Sequence, residues 1–435
     1  MNIINIKKLI VALAVVALAA VLYIRFSPAG LAGFKFNFPG QKKVETVTLK
    51  YWGLWESENV MKVIFDDYQR LNPNVKIEYK MQTPRDYRER LQSALEKNVG
   101  PDIFRFHNSW APMFRDFLAI IPETVMDEKT FRERFYPAAF SDLKTSFGIA
   151  GIPLGMDGLA LYYNEELVKS AGVAVPKTWD ELKEAAKKIT KREDGRIKTA
   201  GVSLGTTNNV DHWPDILALM ILQNGGDLKN PATSWTEEAA LYYVFFNTED
   251  HVWNETFDAS TLAFSQGKVA FYFAPSWRAF EIRALNPGLQ FKIAPVPQLA
   301  EQTINWASYW VEGVSRRSTN QAEAWKLLTY LVNPDTLRKF YAEAAKTRLF
   351  GEPPSRRDMG DSFKEDPLVG PFVSQAETAK SGFLSSRTFD NGLNDKVIKY
   401  YEDALNSILA GNSAKSAMET CAKGVGQVIA DYGIK

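Results

Sequence analysis

Residues 152–190 read IPLGMDGLALYYNEELVKSAGVAVPKTWDELKEAAKKIT, and the order of pieces in this stretch decides the fold. A short apolar run enters a turn in which a single acid, Asp157, sits among Gly155, Met156 and Gly158. A second apolar run, 159–163, has the length of a buried strand. The helix that follows stops at Gly172, a residue free to take the left-handed conformation that ends helices. Beyond a proline-bounded loop, Thr178 stands three residues before Glu181, the reciprocal capping box that starts another helix. Nothing in the stretch is catalytic in type.

Upstream, Val47, Leu49 and Tyr51 alternate with Thr48 and Lys50, as a strand requires. A loop over 53–58 leads to Val60, Val63, Ile64, Tyr68 and Leu71 at helical spacing, closed by Asn72 and Pro73. Val75, Ile77, Tyr79 and Met81 alternate again, and Tyr87, Leu91, Ala94 and Leu95 mark the next helix. Gly100, Pro101 and Asp102 then turn into a short buried strand, where Arg105 is expected to pair with Asp102. Strands alternating with helices of this length imply a mostly parallel sheet covered on both faces. Downstream, helices are expected over 213–222, 237–246 and 322–332, the last ended by Asn333 and Pro334. Strands are expected over 269–273 and 291–297, and a loop with Pro275, Ser276 and Trp277 opens a further helix.

The chain has 435 residues, enough for two or three compact units. Its 52 basic side chains against 51 acidic ones leave no concentrated basic face, so nucleic acid is not an expected partner. With Cys421 as the only cysteine there is neither a disulfide nor a thiolate metal site. Three histidines, at 107, 212 and 251, are too few and too scattered for a histidine metal site, and no metal or cofactor is expected. Aromatic residues make up 13% of the chain, including 11 tryptophans, and that surplus asks for a use.

The N-terminus is a separate device. Lys7 and Lys8 precede an unbroken apolar run over 9–24 closed by Arg25, the pattern of an export signal. Ala17, Leu18 and Ala19 would serve as a cleavage site, but the run continues past them, and the expectation is an uncleaved membrane anchor over 1–25. Residues 26–46, with Pro28, Gly30, Gly33, Pro39 and Gly40, read as a tether.

Seven pieces now stand in one order: Tyr51 to Trp55 (YWGLW), Gly100 to Phe104 (GPDIF), Pro153 to Gly158 (PLGMDG), Tyr163 with Asn164, Lys177 to Leu182 (KTWDEL), Phe264 to Ala270 (FSQGKVA) and Pro353 to Arg357 (PPSRR). In this order the exported part of the chain resembles the extracellular solute-binding proteins of sugar transporters, the maltose-binding-like family. The resemblance implies an α/β, two-lobe periplasmic-binding-protein-like fold of type II, each lobe a mostly parallel sheet flanked by helices, with the ligand cleft between them. Residues 47–153 and 296–334 would form the first lobe, 154–295 and 335–435 the second, and 152–190 would hold a crossing between them. It further implies a monomer, not an enzyme, at the outer face of the cytoplasmic membrane, extracellular or periplasmic. That monomer would close around a di- or oligosaccharide and deliver it to the permease subunits of an ABC importer. Many relatives are held by a lipidated cysteine; this chain has none near its apolar run. A membrane-tethered carbohydrate sensor or adhesion module is the alternative, and a glycoside-active enzyme pairing Asp157 with Glu56 or Glu312 a further one.

A sugar offers hydroxyls around its rim and C–H groups on its faces, so its cleft needs flat aromatics together with planar polar groups. Loops at the cleft side of an open sheet are where both are expected. The candidates are Trp52, Trp55 and Glu56 after the first strand, and His107, Asn108 and Trp110 after the strand that begins near Asp102. Asp157 matches the position where the family often sets an acid or amide on the ligand. Trp277 matches a frequent aromatic platform, with Arg278 beside it. Trp213 next to His212, Trp310 near Trp306 and Tyr309, and Phe389 and Asp390 next to Arg387 complete the set. Trp179, in a capping turn, is expected to pack and not to bind.

Overall fold

The alternating run that begins at Val47 forms strand β1 (Val47–Gly53), and Ser57 caps helix α1 (Glu58–Leu71) by accepting from the Val60 amide at 3.4 Å. Helix α1 buries Val60, Met61, Ile64, Phe65 and Tyr68 on one face; of the residues read at helical spacing, Val63 is half-buried and Leu71, at the helix end, is exposed. The chain returns as β2 (Val75–Met81), parallel to β1, then passes through α2 (Tyr87–Glu96) to β3 (Ile103–His107), also parallel to β1. All five residues of β3 are buried, as a strand covered on both faces must be. The computed structural model describes residues 46–299, 302–348 and 351–434. The anchor read over 1–25, and the tether up to residue 45, lie outside them. Among the described residues no helix is long and apolar enough to cross a membrane.

The deciding stretch forms β4 (Ile152–Pro153), the turn at Asp157, β5 (Ala160–Asn164), α3 (Glu165–Ala171) and α4 (Trp179–Ile189). Asn164 caps α3, Gly172 ends it at φ 61°, and the Thr178–Glu181 box opens α4 with both of its bonds made. Next come β6 (Lys191–Glu193), β7 (Arg196–Val202), α5 (Trp213–Gln223), α6 (Ser234–Thr248) and α7 (Ser260–Ser265). They are followed by β8 (Val269–Ala274), α8 (Arg278–Leu285), β9 (Phe291–Ala294), β10 (Asn305–Trp306) and β11 (Trp310–Val314). The chain closes with α9 (Gln321–Leu331), α10 (Pro334–Arg348), β12 (Ala379–Lys380), α11 (Leu393–Leu409) and α12 (Ala414–Asp431). Pro334 ends one helix and begins another: it cannot continue α9, but as a first helical residue it gives up no hydrogen bond.

Two five-stranded sheets result, in the orders β2-β1-β3-β11-β4 and β9-β5-β8-β7-β6. In the first, β11 runs against four parallel strands. The second is mixed, its one parallel pairing being β8 with β7. The mostly parallel sheet expected for each lobe therefore holds for the first alone. The tight Asp194–Gly195 turn, with φ of 50° and 75°, folds β6 back on β7, and a connection that short permits only an antiparallel pair.

Each sheet has its own core. Phe104, Phe106, Trp325 and Leu328 belong to the first, and Tyr162, Trp179, Trp253 and Phe273 to the second. Trp179 is stacked on Phe273 at 5.4 Å and its Nε1 donates to Gln223 at 2.6 Å, the packing role read from its capping turn. Four segments run side by side between the sheets. The Ser308 amide donates to the Asp157 carbonyl at 3.0 Å, that of Met156 to Pro353 at 2.9 Å, and that of Ala307 to Lys380 at 2.9 Å.

Candidate functional site

A cavity of about 520 Å³ opens between the two cores. Its first-lobe wall is built on β3 and β11, whose register sets His107 opposite Trp310. The two rings meet edge to face at 5.2 Å. Trp110 is fully buried and supports Trp310 from behind at 5.3 Å, while Trp55 packs on Trp310 from the loop after β1 at 5.9 Å. Trp55 holds φ at 68°, a left-handed conformation that is strained for a bulky residue and that its surroundings must maintain.

Arg105 maintains it. Its Nη1 donates to the Leu54 carbonyl at 3.0 Å and to the Glu56 carboxylate, so both neighbours of Trp55 are tied to one guanidinium. Its Nε donates to Glu312 at 2.6 Å, two residues beyond Trp310 on β11. Arg105 therefore does not pair with Asp102. Strand alternation sends residues 102 and 105 to opposite faces, and Asp102 accepts instead from the Lys50 amide at 2.8 Å and the Ser318 hydroxyl at 2.5 Å. Burial pushes both Glu56 and Glu312 upward in pKa against the pull of Arg105.

The second-lobe wall comes from the ends of β8 and α5. Trp277 is 37% exposed, with the Arg278 guanidinium 4.4 Å from its ring centroid. Arg278 Nε donates to His212 Nε2 at 3.0 Å, which leaves the His212 proton on Nδ1, 2.9 Å from Ser386 Oγ. Burial lowers the pKa of His212, and that of His107 to about 3, so both rings are neutral. Phe389, at φ 54°, reaches from the loop before α11 to within 6.4 Å of the Trp55 ring.

Asp157 stands on the crossing between these walls. Its carboxylate accepts from the Ser276 hydroxyl at 2.7 Å, the Ser276 amide at 3.1 Å and the Gly158 amide at 2.8 Å. Burial still outweighs those bonds and raises its pKa to about 7. The arginines of the wall each have an acid beside them. Arg278 pairs with Glu281, Arg387 with Asp211 at 2.8 Å, and Arg348 lies 3.5 Å from Glu352. Asp215 accepts from Trp306 Nε1 at 2.8 Å and the Ser386 amide at 3.1 Å. The buried Arg278 Nη2 has no hydrogen-bond partner, with its nearest acid, Asp211, 3.7 Å away.

Of the residues singled out from sequence, the cavity is lined by Trp55, His107, Asp157, His212, Trp277, Arg278, Tyr309, Trp310, Arg387 and Phe389. Seven other candidates do not line it, among them Trp306, which enters the second core. Trp52 packs on the first core, Glu56 is held by Arg105, and Trp110 stacks on Phe114 behind the wall. Asn108 donates to Asp142 at 2.9 Å and accepts from the Tyr309 amide at 3.2 Å. Trp213 enters the second core, and Asp390 caps α11 by accepting from the Gly392 and Asn394 amides, both at 2.8 Å. Asp215, Glu281, Ser308, Arg348, Glu352 and Ser386 line the cavity without having been singled out. For Asp215 a signal existed, one helical turn after His212; Arg348 ends helix α10 and Glu352 follows it, and nothing local to either marks it as facing the cavity. Among the described residues no group of three or more His, Cys, Asp or Glu could hold a metal ion.

The model of the bacterial extracellular solute-binding proteins matches residues 64–371. Three Brucella binding proteins are 28% identical over 219 residues, 48% of this chain, and the chain spans about half of their length, 52%. The maltotriose-binding protein of Pyrococcus abyssi is 21% identical over 344 residues, 74% of this chain and 69% of its own. The solved structure of the cyclic α-maltosyl-1,6-maltose binding protein from Arthrobacter globiformis superposes with a TM-score of 0.74 at 21% identity, covering 88% of this chain and 99% of that one. At that identity the likeness establishes a shared fold.

Proposed function

From the premise that this chain belongs to the bacterial extracellular solute-binding proteins, we propose that it binds a neutral oligosaccharide between its lobes, closes around it and passes it to an ABC importer. One observation carries the reading: indole faces from both lobes, Trp55 and Trp310 on one side and Trp277 on the other, meet in a single cavity whose arginines each have an acid beside them. Such a site offers ring faces to sugar C–H groups and both donors and acceptors to hydroxyls. A ligand that touches both walls favours the closed state by the contacts it makes only there.

The lobe division at 153/154 and near 295 belongs to the same reading. Met156 enters the first core and Leu159 the second, which puts this crossing a few residues beyond 153/154, and α10, with Leu337 and Phe340, packs into the first core although the expected division gave it to the second lobe. Export and membrane tethering through residues 1–25, and a monomeric state, are likewise proposed. Catalysis is not part of the reading, since the acids nominated opposite Asp157, Glu56 and Glu312, are both spent on Arg105.

The relatives' names direct the test. The Pyrococcus protein is described as maltotriose-binding and a Streptococcus mutans relative, 22% identical over 332 residues, as multiple sugar-binding. Melting the protein against a panel of oligosaccharides should reveal at least one that stabilises it by about 2.7 kcal/mol at 100 times its dissociation constant. Product release during incubation, or a response to charged solutes alone, would overturn the reading.

A further inference from the structure

The cleft continues past Trp277. A second chamber of about 350 Å³ adjoins the main cavity, walled by Ser276, Trp277, Phe280 and Ala284 on one side and by Arg348 and Glu352 on the other. Trp277, Glu281, Arg348 and Glu352 line both spaces, so the indole is a partition with a cavity on each side of it. Phe280 follows Trp277 by three residues, on the same face of α8 one turn on, and is 39% exposed. An aromatic ring on a chamber wall, next to an alanine that leaves the space open, repeats the pattern of the main cavity. At its edge stand Arg348 with Glu352 at 3.5 Å, and Glu281, which is paired with Arg278, so the edge offers both donors and acceptors.

We propose that this chamber is an additional sugar subsite. A linear oligosaccharide with one ring against the Trp55–Trp310 pair and the next on Trp277 runs on into the chamber, lays a third ring against Phe280 and bonds its hydroxyls to Arg348 and Glu352. The inference rests on the carbohydrate reading above and deepens it. It makes the preferred ligand a chain of at least three units, because each ring takes its own aromatic face and the chamber is contiguous with the site that holds the others.

The test is calorimetric titration of the full-length protein with linear gluco-, manno- and xylo-oligosaccharides of one to five units. Two variants are compared, Phe280→Ala, which removes the platform, and Ala284→Trp, which fills the chamber from an exposed helix position and so spares the fold. Both should weaken binding of trisaccharides and longer chains by about tenfold while leaving the disaccharide within about twofold. Losses equal at every length, no loss at any length, or a wild type that binds only one or two units would overturn the subsite and leave the carbohydrate reading standing. A wild type that binds no member of the panel would remove the carbohydrate reading and the subsite with it.

Discussion

Asp157 and Ser276 are joined where the chain passes between the lobes. The Ser276 hydroxyl donates to the Asp157 carboxylate at 2.7 Å, and the Ser276 amide donates to it at 3.1 Å. One acid thereby ties the crossing turn to the loop that carries Trp277, and it does so from the cavity wall, where burial raises its pKa from 3.8 to about 7.

That shift sets a pH dependence. Because the folded pKa lies above the unfolded one, the folded state binds the proton more tightly. Asp157 therefore contributes stability that is full below pH 3.8 and is lost as pH rises toward about 7. Asp157→Asn keeps the shape and removes the titration. Thermal melts across this window should show the variant gaining on the wild type as pH rises, and parallel curves would refute the assignment.

Trp277 and Trp110 should separate binding from stability. Trp277 is 37% exposed and Trp110 fully buried. Trp277→Ala should weaken ligand binding by about tenfold or more with little change in melting temperature. Trp110→Ala should instead cost about 3–5 kcal/mol of stability by leaving a cavity behind Trp310. Titration and denaturant unfolding of both variants check the pair.

Arg105 is the tie between the two loops that carry aromatic faces in the first lobe. Arg105→Leu would strand Glu56 and Glu312 as buried carboxylates, at a cost of about 3–5 kcal/mol. Adding Glu56→Gln and Glu312→Gln should restore much of that loss, because neutral amides need no counter-charge. Urea unfolding of the single and triple variants measures the difference, and an unrescued triple variant would count against the account.

Gly158 lies against the neighbouring crossing strand, and a Cβ there would collide with the Trp306 carbonyl oxygen. Since the obstacle is backbone and cannot rotate away, Gly158→Ala should cost about 1–3 kcal/mol or more. Gly172→Ala, at a left-handed helix end with open space around it, should cost less than that. Their relative melting temperatures test the ranking.

By itself, the sequence determined the α/β class, the strand and helix alternation from β1 to β3, the capped helices α3 and α4 and the crossing turn at Asp157, but neither the β6–β7 hairpin nor β11. What it determined follows from periodicities and caps local to a few residues. It also marked the neighbourhoods of the cleft. Which residue in each neighbourhood faces the ligand space was decided only by tertiary structure. Trp213 goes to the core and His212 to the cavity, because neighbours on a helix point about 100° apart. Trp55 lines the cavity and Trp52 does not, since Arg105 holds the loop in a left-handed turn that no local pattern announces. Arg348 and Glu352 arrive from almost 200 residues beyond Asp157, brought in by the packing of α10 on the first core and by the bridge between Gly155 and Pro354, long-range contacts with no local trace in the sequence.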